Sequence, residues 1–129
     1  MNNQQREQIQ NFILSDDNAE QMVKEAENIA ENMINKVSTS QLRNIYGAIK
    51  KLEMSHYDEK VYRQLVLIKP KLTYMRGRSK KDQKLYYENL EQIFGAAIDA
   101  VKKDDDATFQ RFCQFIEAIL AYHKVYGDK

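Results

Sequence analysis

A chain of 129 residues with 43% hydrophobic and 30% charged residues, at a mean hydropathy of −0.71, has the apolar material for a core and none of the long apolar runs of a membrane span. Four Gly and one Pro are too few turn-formers for a sandwich, a barrel or a doubly wound sheet. The net charge of +1 conceals three unlike segments: residues 1–37 hold three cations against seven anions, residues 38–84 twelve against four, and residues 85–129 five against eight.

Hydrophobic spacing is helical nearly throughout. Residues 1–14 open on Met1-Asn2-Asn3-Gln4-Gln5, which lacks the basic start and apolar stretch of a signal peptide, and are read as a frayed segment or a short helix. Ser15-Asp16-Asp17 offer N-caps for a helix with the stripe Met22, Val23, Ala26, Ile29, Ala30, Met33, Ile34 and Val37. Ser38, spaced from Gln41 as in a capping box, opens the next, with Leu42, Ile45, Tyr46, Ile49 and Leu52 on its stripe. His56-Tyr57-Asp58 reads as a turn with Asp58 as cap. A third pattern, Val61, Tyr62, Leu65, Ile68, Leu72 and Met75, is interrupted at Pro70, which either kinks the helix or starts another. Arg76-Gly77-Arg78-Ser79 reads as a basic break. Leu85, Tyr86, Leu90, Ile93, Phe94, Ala97, Ile98 and Val101 mark a fourth helix. Asp104-Asp105-Asp106 cap a fifth, with Phe109, Phe112, Cys113, Ile116, Ile119, Leu120 and His123 on its stripe and Gly127 closing it. Each stripe is one face wide and needs neighbours to cover it. The expectation is a single all-α domain over residues 1–129, a compact bundle of about five helices.

Catalytic chemistry has little to work with. Nucleophilic catalysis needs a nucleophile beside an oriented base, and the two histidines, His56 and His123, fall in different elements. Cys113 on its apolar stripe reads as a small buried hydrophobe, and as the lone cysteine it excludes an internal disulfide, in keeping with a reducing cytoplasm. His123 reads as a residue that favours the dipole at a helix C-terminus. Glu53-Met54-Ser55-His56 has the Glu-x-x-His spacing of di-iron bundles, but no second copy exists, since Leu120 stands three before His123. No phosphate-binding glycine loop occurs. No catalysis, metal or cofactor is expected.

The basic middle third carries the functional argument. Segregated charge of this size marks a polyanion partner, or else cations that merely solvate exposed helix faces. At 100° per residue, Arg43, Gly47, Lys50 and Met54 share one face of the second helix, with Lys51 at its edge. A glycine inside a helix costs about 1 kcal/mol against alanine. Gly47 therefore has one of two uses: close approach of a phosphate backbone to a cationic face, or a tight helix–helix contact. Lys69, Lys71, Arg76, Arg78, Lys80, Lys81 and Lys84 crowd around Pro70 and Gly77. Tyr46 and Tyr74 are expected to pack rather than stack on bases, so binding would follow the backbone and ignore sequence. The whole mechanism requires these cations to form one continuous ridge.

Three stretches resemble a known family: Thr39-Ser40-Gln41-Leu42-Arg43-Asn44; Leu67-Ile68-Lys69-Pro70-Lys71-Leu72-Thr73-Tyr74 with Arg76-Gly77-Arg78; and Phe115-Ile116-Glu117-Ala118-Ile119-Leu120-Ala121-Tyr122-His123-Lys124. Together they are similar to the small helical subunit of type III-A CRISPR–Cas effector complexes, the Csm complexes. Thr73 and Met75 depart from the small alanines common there. The resemblance implies a non-catalytic subunit of an RNA-guided antiviral defence complex, present in several copies that form the minor filament. Its implied partners are crRNA and target RNA, the other Csm subunits and further copies of itself as a dimer or filament, with no membrane. RNA contact is carried onto Arg43, Lys50, Lys51, Lys69, Lys71, Arg76 and Arg78. The alternative is a helical interaction module whose basic region docks an acidic protein partner, and a distant third is an enzyme with a metal assembled between chains around His56.

Overall fold

The computed structural model describes residues 1–33 and 35–127. Among them are seven helices: α1 (Asn3–Leu14), α2 (Ala19–Met33), α3 (Thr39–Glu53), α4 (Glu59–Val66), α5 (Ile68–Arg78), α6 (Lys84–Ala100) and α7 (Asp106–Gly127). The all-α class expected from the sequence is what forms. The count exceeds five because the opening segment is a full helix and the third pattern is divided in two.

Local chemistry accounts for both differences. Asn2 and Gln5 form a reciprocal capping box, in which Asn2 Oδ1 accepts from the Gln5 N–H at 2.8 Å and Gln5 Oε1 from the Asn2 N–H at 3.2 Å. So anchored, α1 buries Ile9, Phe12 and Ile13, with the Phe12 ring centroid 5.7 Å from that of Phe115. Pro70 is the third residue of α5, where a helix has no partner for the N–H that proline lacks. The chain therefore ends α4 before the proline and restarts through Leu67, which caps both helices. Arg76-Gly77-Arg78 forms the last turn of α5 rather than a break, and the helix stops at Ser79.

Other elements shift by a residue or two. α2 begins at Ala19, and Ser15-Asp16-Asp17 instead forms a turn in which Ser15 Oγ accepts from the Asp17 N–H at 3.1 Å. Beyond α2, Asn35 takes a left-handed φ of 65°, a conformation asparagine tolerates, and turns the chain toward α3. Ile34 lies outside the described residues. Ser38 and Asp58 cap α3 and α4 as the sequence predicts, but the reciprocal half of the Ser38–Gln41 capping box does not form, because the Ser38 N–H goes to Tyr87 instead. On α6, Leu85 is exposed, while Tyr87 turns inward and accepts the Ser38 N–H at 3.0 Å.

α7 runs through the middle, packed along α1, α2 and α3, while α6 lies between α1 and α5. One apolar cluster extends from Ile9 to Ile119. Met75 joins it, and Thr73, exposed on the same helix, donates its hydroxyl proton to Glu91, with the Lys69 carbonyl a longer alternative acceptor. Among the described residues no helix is long and apolar enough to cross a membrane.

Candidate nucleic-acid interface

α3 buries Leu42, Ile45 and Ile49, which forces Arg43, Gly47, Lys50 and Met54 onto a solvent face, with Met54 79% exposed. A Cβ at Gly47 would meet nothing within 4 Å. The tight helix–helix contact is thus absent, and the gap in this face opens to solvent. Lys50 is not free, because Glu53 accepts from its ammonium at 2.8 Å and holds its pKa above the ordinary value. Arg43 and Lys51 are exposed and make no ion pair among the described residues.

α5 divides its cations between two flanks. Burying Ile68, Leu72 and Met75 leaves Lys69, Thr73 and Arg76 as one ridge at i, i+4, i+7 and Lys71, Tyr74 and Arg78 as another at i, i+3, i+7. The first ridge is neutralised by α6. Lys69 pairs with Asp99 at 2.6 Å, Arg6 of α1 reaches the same carboxylate at 2.7 Å, and Arg76 pairs with Glu91. Burial alone would raise both carboxyls; hydrogen bonds from Lys69 and Arg6 on Asp99, and from Thr73 and Arg76 on Glu91, outweigh it and hold both below the carboxylate range.

Among the described residues the second ridge pairs with no acid. Lys71 and Arg78 are exposed without ion pairs among the described residues, and the Arg78 guanidinium sits 5.6 Å from the Tyr74 ring centroid. Tyr74 is 66% exposed, against the expectation that it packs, whereas Tyr46 is half-buried on the core as expected. The start of α3 and the end of α5 meet at a cleft of about 440 Å³ whose lining includes Lys36, Ser38, Gln41, Arg78 and Lys80 and, among the described residues, no carboxylate. Lys36 has no part in the sequence argument, since it belongs to the acidic first segment. It lies two residues before the Ser38 cap, and the long-range fold brings Arg78 and Lys80 to it.

The single ridge required by the sequence argument is therefore not formed. Lys50, Lys69 and Arg76 are occupied by the chain's own carboxylates, and Arg43, Lys51, Lys71 and Arg78 remain as free cations on two helices. Glu53, three residues after Lys50, is a local partner, whereas Asp99 and Glu91 lie 30 and 15 residues from Lys69 and Arg76, beyond any local pattern.

Neither histidine joins a cluster. His56 is exposed, and among the described residues no three His, Cys, Asp or Glu side chains gather to hold a metal. His123 is 1% exposed, and neither ring nitrogen has a hydrogen-bond partner among the described residues. Burial pushes its pKa down; the nearby Met33 and Val37 backbone offsets this only in part, without completing a bond of normal geometry. It is a neutral core ring, not the charged helix terminus expected from its position. Cys113 is buried as expected, and burial pushes its thiol up. Of the three aspartates, Asp105 caps, its carboxylate accepting from the Ala107 N–H at 3.0 Å.

A family model described as Csm2 Type III-A matches residues 16–129. No curated protein and no solved structure matches the chain.

Proposed function

We propose a function from one premise: the chain belongs to the Csm2 Type III-A family, which makes it a small subunit of type III-A CRISPR–Cas effector complexes. Within such a complex it acts without catalysis, as part of the minor filament, lying along the phosphate backbone of the crRNA–target RNA in antiviral defence. Sequence is read by base pairing, so the subunit needs only to follow a charged track.

The observation that supports this reading is the set of cations left without carboxylates: Arg43 and Lys51 on α3, Lys71 and Arg78 on α5, and the acid-free cleft where those helices meet. Arginine forks onto phosphate oxygens and lysine supplies point charge. Lys50, Lys69 and Arg76 contribute less, because each must first leave a carboxylate. The open face at Gly47 allows a backbone to approach α3 closely.

Fluorescence anisotropy with unrelated RNA sequences, titrated from about 50 to 300 mM salt, tests the reading. Affinity falls linearly on logarithmic axes, and charge reversal of Arg43, Lys51, Lys71 and Arg78 together weakens all sequences alike. The slope becomes shallower by about 0.7–0.9 for each phosphate that is no longer neutralised. Binding indifferent to salt would refute phosphate neutralisation as the driving force.

A further inference from the structure

We infer that Tyr74 is a stacking platform for an unpaired RNA base, set inside the free cationic ridge of α5; this rests on the RNA reading above and adds a nucleobase contact to it. Four exposed residues, Leu67, Lys71, Tyr74 and Arg78, stand at i, i+4, i+7 and i+11, which keeps them on one side of the helix. Tyr74 is 66% exposed, and its hydroxyl has no hydrogen-bond partner among the described residues, so the fold engages the ring only through the Arg78 guanidinium and leaves most of it to solvent. Folding ordinarily hides a tyrosine's apolar body, as it does for Tyr87 and Tyr57.

The neighbours of the ring define what it accepts. Arg78 lies over it at 5.6 Å, and Lys71 is one turn before it, so a π surface is bracketed by positive charge with no acid paired to either cation. A nucleotide offers the matching pair, a flat base for the ring or guanidinium and a phosphate for the cations. An acidic peptide would satisfy the charges and leave the ring unused. A base inside an A-form duplex is stacked on both sides and presents only its edges, so the occupant is a single-stranded or unpaired nucleotide.

Anisotropy with the full chain tests this on three probes of equal length: a single-stranded RNA, the same strand with abasic positions, and a blunt duplex. The wild type binds the ordinary strand about tenfold more tightly than the abasic one. Tyr74→Ala brings the ordinary strand to the abasic level with an unchanged salt slope and leaves the duplex unaffected, while Tyr74→Phe keeps the preference. Because the chain has no tryptophan, Tyr74→Trp supplies a lone indole whose fluorescence is quenched by the ordinary strand and not by the abasic one. Equal losses for Tyr74→Ala on ordinary and abasic strands would overturn the stacking role. So would no loss at all while Lys71→Glu with Arg78→Glu still weakens binding, an outcome that leaves the backbone reading standing. Failure of the wild type to bind any of the three probes would overturn both.

Discussion

Gly47 shows how a single position separates stability from function. It sits mid-helix on an exposed face with no neighbour within 4 Å of where a Cβ would lie. Gly47→Ala therefore gains helix propensity of about 1 kcal/mol without a clash, which raises the melting temperature by roughly 3 °C. Its opposite effect is on binding, since a methyl group in the gap between Arg43 and Lys50 holds a phosphate backbone away and lowers RNA affinity. Thermal melts and anisotropy on the same variant check both signs. An increase in both would mean that the glycine serves nothing on this face. The Arg43 face itself was legible in the sequence, because alternation of Leu42, Ile45 and Ile49 with polar residues dictates which side meets water. What the pattern left open, the purpose of the glycine, needed the neighbouring helices to be located.

At the scale of the element, α5 is the informative case. Its buried stripe, Ile68, Leu72 and Met75, follows from spacing alone, and so does the disruption by Pro70. The division of its cations does not, since the acids that occupy one flank come from α6. Removing those acids with Glu91→Gln and Asp99→Asn releases Lys69, Arg76 and Arg6. RNA affinity then rises several-fold with a steeper salt slope, and the cost in stability is modest, about 1 kcal/mol for each of these partly exposed pairs. The sign with pH is fixed by the direction of the carboxyl shifts. Both are held below their ordinary range, so their contribution is complete above about pH 5 and is lost as acid protonates them. A double variant with unchanged affinity would show that the flank facing α6 never meets the nucleic acid.

For the molecule as a whole, α7 and its buried His123 set the response to mild acid. The fold holds this ring neutral, with its pKa pushed down by burial, so the unfolded chain binds more protons as the pH drops below about 6.5. Stability is full above that value and falls through it, before most carboxylates titrate. Denaturant midpoints drop from pH 7.5 to about pH 5.5 in the wild type, and His123→Leu, which keeps the volume without the ionisable ring, flattens the difference. The helical class and most of the core were legible because every stripe repeats with a helical period. The role of His123 was not, since its place near a helix end suggested charge while the α2 terminus packed over it. The opening helix is harder to read, because its sequence is largely polar and its Asn2–Gln5 capping box gains its weight only once Ile9, Phe12 and Ile13 find a core to enter. The stretch shared with the family starts at residue 16, just past α1, yet Phe12 of that helix is what covers Phe115. Trimming the chain to the shared stretch would uncork a greasy trough, and the clumping that followed would be an artefact of the scissors rather than a property of the subunit.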